Sequence, residues 1–278
     1  MIELGKYNLL KVLRQAAEGH YLGDADGEEV LLSKIYDLPE ADENGLVSVF
    51  IHNDNDGHKV ATSLNPKFVA GEFAWLRVKA VAEGVGAFLE WGVDKDLMVP
   101  FREQKLRMEA DRNYLVYLDI DLETNRLYGS SKVEHFIHNE VLSVEENEEV
   151  DLIIWKKTDL GYATIINHIH QGLIYENEVF KDLHVGDSLK GYIKNIREDN
   201  KIDLSLQALG YANFIDANAQ KVLDMLDQNE GFMAVSDKST PDEIAYLFGM
   251  SKKAFKKAIG FLYKQQIITI DDKGILRS

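Results

Sequence analysis

The chain repeats itself. Asn200-Lys201-Ile202 followed by Ser205 matches Asn125-Arg126-Leu127 followed by Ser130, an offset of 75 residues that also carries Val85-Gly86 onto Leu160-Gly161. Lys59-Val60 followed by Ser63-Leu64 echoes Lys201-Ile202 followed by Ser205-Leu206. A recurring unit constrains the fold more than local propensity does, because every copy is one structural module. Units of roughly 65–75 residues are too long for a solenoid repeat and suit small β-barrels.

Residues 186–207 show the chemistry of a unit most clearly. Lys190, Tyr192 and Lys194 alternate with Gly191 and Ile193, the period of a half-buried strand. Glu198-Asp199-Asn200 supplies a turn, and Ile202, Leu204 and Leu206 form a second alternating run. The expected hairpin has one apolar face and one face carrying two lysines and a tyrosine. Such a face suits single-stranded nucleic acid, since ammonium groups meet phosphates while rings stack on bases. A solvated surface strand fits the same hairpin.

The first unit, residues 1–66, offers strands at 9–12, 29–32, 47–51 and 59–64. Its Asn53-Asp54-Asn55-Asp56-Gly57 segment lacks the closing glutamate and flanking helices of a calcium loop, and reads as a hairpin turn. The second unit, residues 67–139, offers strands at 73–81, 87–91, 114–119 and 126–130. Gly84 and Gly86 complete no dinucleotide fingerprint and read as barrel corners. The third unit, residues 140–210, carries the run Glu145-Glu146-Asn147-Glu148-Glu149, read as a solvated connector.

After Gly210 the period changes to that of helices. Ala219, Val222, Leu223 and Leu226 mark an amphipathic helix. Thr240-Pro241 starts a second, with threonine as cap and proline in the first turn, and Gly249 stops it. Ser251 caps a third helix from Lys252 to about Gln266, burying Phe255, Ile259 and Leu262. Residues 267–270, the turn Asp271-Asp272-Lys273-Gly274 and Ile275-Leu276 read as a hairpin, so residues 211–278 resemble a winged-helix domain. Lys252, Lys253, Lys256, Lys257 and Lys264 lie at the start and outer side of the third helix, the element that often enters the major groove. Early arginine, asparagine or glutamine for reading base edges is missing. Phosphate contact is therefore expected ahead of sequence-specific DNA reading, with a plain solubilising face as the other reading.

The second and third units resemble the S1 RNA-binding domain, an OB-fold barrel. The resemblance rests on the corners Gly86-Ala87-Phe88-Leu89 and Leu160-Gly161-Tyr162, the later strand Gly172-Leu173-Ile174-Tyr175, and the closing residues 202–206. The third unit is the strongest match, and the first is recognisable only through its final strand. Val85 and Leu160 stand where S1 domains usually carry an aromatic, and Val99 and Tyr175 where they usually carry histidine. The second unit, short of two rings, reads as a spacer. Three such barrels followed by a winged helix resemble the bacterial conserved virulence factor B family, most specifically from Thr158 through Tyr175, Phe180 and Tyr192 to Gln207. The resemblance implies a cytoplasmic RNA-binding protein that influences gene expression and has no known catalytic role.

The expected architecture is mostly β, three tandem S1-like OB-fold barrels, with a C-terminal α+β winged-helix domain. Single-stranded RNA is the expected partner, through Tyr162, Tyr175, Lys190, Tyr192, Lys194 and Arg197, with Lys252, Lys253, Lys256 and Lys257 extending the track. Two alternatives stand beside it: an acidic adaptor docking a ribosomal or other protein, and a winged-helix DNA-binding regulator.

A net charge of −16 opposes indiscriminate coating of nucleic acid. From Phe214 onward nine basic residues balance nine acidic ones, so the whole excess lies earlier and binding must use local basic patches. The absence of cysteine excludes disulfides, zinc knuckles and thiol nucleophiles. There is no apolar run near the ~20 residues that span a bilayer, and no secretory pattern, so no membrane contact is expected. His135, His138, His168 and His170 read as adventitious surface histidines. Serine elbows, Walker loops and H-E-x-x-H are all missing. No catalytic, cofactor or metal site is expected.

Overall fold

The alternating runs become strands in the computed structural model, which describes residues 1–176, 179, 182–206, 217–264, 267–271 and 273–277. Phe180, Gln207, Gly210, Phe214, Gln266 and Asp272, used above, lie outside the described residues. The chain divides into two compact units, Met1–Leu206 and Gln207–Ser278.

In the first unit, β1 (Tyr7–Gln15), β2 (Gly19–Gly23), β3 (Glu29–Ser33), β4 (Leu46–Asn53) and β5 (Lys59–Thr62) close a barrel in the order β1-β2-β3-β5-β4. β3 and β5 run parallel and the other pairs antiparallel. Next, β6 (Phe73–Ala82), β7 (Gly86–Leu89), β8 (Leu97–Pro100), β9 (Asn113–Asp121) and β10 (Arg126–Ser130) form a sheet ordered β10-β9-β6-β7-β8. Then β11 (Glu149–Thr158), β12 (Gly161–Ile166), β13 (His170–Tyr175), β14 (Ser188–Ile196) and β15 (Ile202–Ser205) close a second barrel with the order of the first. Register slips between Val12 and Arg14, Val78 and Ala80, and Ile154 and Lys156 place a bulge in the first strand of every copy. Bulges bend a strand, which lets one strand serve both halves of a small barrel.

The three expected barrel units are present, two of them closed and the middle one a half-barrel. Among the described residues β8 and β10 share no hydrogen-bonded ladder. The Val99 carbonyl on β8 accepts instead from Gln104 Nε2 at 2.9 Å, and Gln104 Oε1 accepts from the Met108 amide at 3.0 Å. Gly129 on β10 has no side chain because a Cβ there would lie 2.7 Å from Val99 Cγ2. Side chains seal this seam where a parallel ladder seals the other two.

Apolar joints fasten the three copies to one another. Phe50 from β4 packs edge-on against Trp91 at 5.6 Å, and Trp91 against Phe68 at 6.1 Å. Phe73, Leu115, Val133, Ile137, Ile153 and Ile165 form a second buried cluster where the middle copy meets the third. Polar latches cross both joints. Asn53 Oδ1 accepts from the Leu127 amide at 2.9 Å, and the Phe73 amide donates to His168 Nδ1 at 2.9 Å. His170 is fully buried: Nδ1 donates to the His138 carbonyl (2.8 Å) and Nε2 accepts from the Ser143 amide (3.1 Å). His168 and His170 are therefore structural latches, a correction to their reading as surface residues, whereas His135 and His138 are exposed.

The acidic run departs from expectation as well. Glu149 opens β11, Glu146 accepts from the Ile196 amide at 2.9 Å, and the Asn147 amide donates to the Ile193 carbonyl at 2.8 Å. The run stays exposed to solvent, yet Glu146 caps the end of β14 and Glu149 belongs to a strand, so it is more than a connector.

The second unit contains α1 (Ala217–Gln228), β16 (Phe232–Met233), α2 (Pro241–Phe248), α3 (Lys252–Lys264), β17 (Ile268–Ile270) and β18 (Ile275–Arg277), the strands pairing in the order β16-β18-β17. Thr240 Oγ1 accepts from the Glu243 amide at 3.2 Å, and Gly249 ends α2 in the left-handed region at φ 61°. Val222, Leu226, Ile244, Phe255, Leu262 and Ile275 are buried together. This is the expected winged helix, with β16 as an added third strand.

Candidate nucleic-acid interface

Alternation on β14 buries Gly191 and Ile193 and turns Lys190, Tyr192 and Lys194 outward. Register then decides what each meets. Lys190 lies opposite Asp151 of β11, and its ammonium sits 2.8 Å from that carboxylate, which raises the lysine's pKa. Tyr192 lies opposite Glu149 and donates its hydroxyl proton at 2.8 Å; that bond raises the tyrosine's pKa. Arg197, from the turn after β14, forks onto Asp203 of β15 at 2.8 and 3.1 Å and also touches the Tyr175 hydroxyl. Asp203 stands beside Leu173 of β13 on one side and Asn195 of β14 on the other. Tyr175 on β13 and Tyr192 on β14 thus flank β15, which pairs with both strands, while Arg197 reaches over from the turn after β14, and Lys194 is the bulged residue between Ile193 and Asn195.

Tyr162 is the exception, and its stacking role is corrected. It is 8% exposed and packs in the barrel core with Leu152, Ile154 and Ile174. The cause is register: Tyr162 pairs with the buried Ile174 and shares its inward face. The Lys157 ammonium lies 5.3 Å from its ring centre. Leu160 is the residue this corner presents to solvent.

The electrostatics are close to balanced. Asp151, Glu149 and Asp203 already hold Lys190, Tyr192 and Arg197, so a phosphate must displace or share a carboxylate. Exposed pairs of this kind are worth at most about 1 kcal/mol, so exchange is inexpensive.

In the winged helix, Lys253, Lys256 and Lys257 are exposed on α3, with Lys252 half-buried at its start. Phe255, Ala258, Ile259 and Leu262 occupy the opposite, buried side. Lys256 lies 3.4 Å from Asp237.

Residues 4–64 match the S1 domain family, and residues 220–276 match the CvfB-like winged helix domain. The chain is 26% identical to conserved virulence factor B of Staphylococcus aureus and of Staphylococcus epidermidis, across 96% of its own length and 92% of theirs. The chain is a relative of the conserved virulence factor B proteins. A multidomain protein with nucleic acid binding domains from Streptococcus pneumoniae is 24% identical, covering 99% of this chain and 98% of its own, at a TM-score of 0.40.

The S1 match corrects one ranking. The first copy was expected to show its kinship only in its final strand, yet the match spans all five strands from Tyr7 to Thr62. The S1 and winged-helix domains of the chain point to nucleic acid as the partner class. No helix among the described residues is long and apolar enough to cross a membrane.

Proposed function

We propose that the chain binds single-stranded RNA without catalysing a reaction, and thereby influences gene expression in the cytoplasm. The supporting observation is the wall of the third copy, where Tyr175 on β13 and Lys190, Tyr192 and Lys194 on β14 flank β15, with Arg197 in the turn after β14. Two rings offer stacking surfaces, and three cations offer phosphate contacts, those of Lys190 and Arg197 by exchange with their carboxylate partners. Lys252, Lys253, Lys256 and Lys257 of the winged helix add a second cationic surface for the backbone. Early α3 still lacks side chains that read base edges in pairs, which favours RNA backbone over duplex sequence reading.

Filter binding of single-stranded RNA tests the reading. Replacing Tyr175 by alanine removes a ring worth about 1–3 kcal/mol. Adding Lys194→Ala reduces the slope of log K against log salt by about 0.7. Unchanged affinity in the double variant rejects the assignment.

One observation favours a protein partner. The same wall pairs its cations with carboxylates, and the body is strongly acidic, as suits docking of a basic protein such as a ribosomal component. Recovery of one stable protein partner after nuclease treatment supports that reading, and an empty pull-down rejects it.

A further inference from the structure

We infer that the cleft between the first barrel and the middle half-barrel is a pocket for one nucleotide, taken either as free nucleoside monophosphate or as one residue of a strand. Its volume is about 390 Å³, within the usual range of small-ligand sites. The turn after β4 forms one side and the outer face of β7, β8 and β10 the other. It lies outside the third-copy wall and does not rest on the reading given above.

Three features of the cleft call for three parts of a nucleotide. The first is positive charge without an ion-pair partner. Arg126 donates to the Asp56 carbonyl at 2.9 Å and Lys95 to the Asp54 carbonyl, and among the described residues neither has a carboxylate at ion-pair distance. Burial, and then the nearby Arg126 charge, lower the Lys95 pKa. Two cations held together on backbone carbonyls gain from any anion that enters. The carboxylates lining the cleft are already paired: Asp96 with Lys79 at 3.0 Å and Asp121 with Arg102, another lining residue, at 3.4 Å. A phosphate meets this demand.

The second feature is a buried acceptor without a donor. His52 is 5% exposed and lines the cleft. Its Nδ1 lies 3.1 Å from the Asn53 carbonyl, which can only accept, so the ring proton resides on Nδ1. Nε2 is then a bare lone pair, and it has no hydrogen-bond partner. A buried polar atom in that state is destabilising until a donor arrives. Each of the four RNA bases carries such an N–H. The third feature is a flat apolar wall, supplied by Phe88, Met98 and the ring of Tyr128, whose hydroxyl is occupied by Asp119 at 2.8 Å. Bare phosphate would use only the first feature, whereas a nucleotide uses all three.

Calorimetric titration of the full chain with AMP, GMP, CMP, UMP, inorganic phosphate and a short single-stranded oligonucleotide tests this. At least one monophosphate should bind with unit stoichiometry and at least about tenfold more tightly than phosphate, a difference of about 1.4 kcal/mol. Lys95→Ala and Phe88→Ala should each weaken it about tenfold. His52→Phe should do so too, and thermal melts identify any variant that has failed to fold. Tyr175→Ala should leave monophosphate binding unchanged, which separates this pocket from the third-copy wall. An oligonucleotide that binds more tightly than its monomer, and weakens in Lys95→Ala, assigns the pocket to a strand; a monomer that binds at least as well assigns it to free nucleotide. Phosphate binding as tightly as every monophosphate overturns the inference. So does failure of all monophosphates at millimolar concentration together with an oligonucleotide indifferent to Lys95→Ala and Phe88→Ala.

Discussion

The third-copy wall and the cleft beside the first barrel are both cationic and ring-bearing, yet they hold charge in opposite ways. On the wall, Lys190 and Arg197 each face a carboxylate on a neighbouring strand, at 2.8 Å in both cases. In the cleft, Lys95 and Arg126 rest on backbone carbonyls, and burial together with the Arg126 charge lowers the Lys95 pKa. The wall is therefore near neutral, solvated and suited to a long ligand that exchanges partners along its length. The cleft is partly desolvated and suited to a small anion. The number of lysines in a segment is thus a poor guide to affinity, because what each meets across the strand decides its field.

That contrast presumes a first unit whose copies do not shift against one another. The joints can be broken to see whether it survives. Phe73 is 2% exposed and packs 4.8 Å from Tyr117 and onto His168. Phe73→Ala is expected to cost about 3–5 kcal/mol in urea unfolding, as truncation of a buried aromatic usually does. A loss below 1 kcal/mol would mean that the joint carries no stability.

Asn53 comes next. Its amide donates to the Gly57 and Asn125 carbonyls at 3.1 Å and accepts from Leu127. Asn53→Ala leaves part-buried backbone groups unpaired, and about 1 kcal/mol should be lost.

Acid should act on the same joints. Burial lowers the pKa of both His52 and His168, and His168 Nδ1 accepts from Phe73, a bond that protonation abolishes. The unfolded chain then binds protons more readily than the folded one, so stability is full above the ordinary imidazole range. It should fall as pH drops below about 6.5, by at most about 1.4 kcal/mol per pH unit for each proton. Melting curves from pH 8 to 5 should show the decline, and His168→Gln should flatten it. An unchanged slope would remove His168 from the account.

The smallest effect is the most direct test of the wall. Asp151→Asn frees Lys190 from its partner. RNA affinity should rise by about 0.5–1 kcal/mol and its salt slope steepen by about 0.7. Weaker binding would show that the carboxylate does not compete with phosphate.

Much of the fold could be read from residue order alone. The closing strand at 126–130 has the expected ends, Thr240 caps α2, and α3 begins at Lys252 after Ser251. These are local signals: a period, a cap, a breaker. What escaped depends on partners distant in sequence. Tyr162 follows Gly161, whose φ of +148° turns the chain into β12, and nothing local tells which face the next ring takes. Its inward direction comes from pairing with Ile174. β2 was not expected, being short and bounded by glycine. The open seam of the middle copy turns on Gln104, a side chain from outside any strand. His168 and His170 looked idle because their partners, Phe73, His138 and Ser143, come from other segments. The cleft was missed for a similar reason: the missing rings at Val85 and Val99 hid a wall completed by Tyr128 and by His52 of another copy.

The central claim is that the third-copy wall holds single-stranded RNA. The decisive measurement is fluorescence anisotropy of the full chain with single-stranded RNA and with duplex DNA of the same sequence, at equal salt, for the natural chain and Tyr175→Ala. Tighter binding of RNA, lost by about 1–3 kcal/mol in the variant while duplex binding stays constant, is the predicted result. Preference for duplex DNA, or RNA binding indifferent to Tyr175, would contradict it.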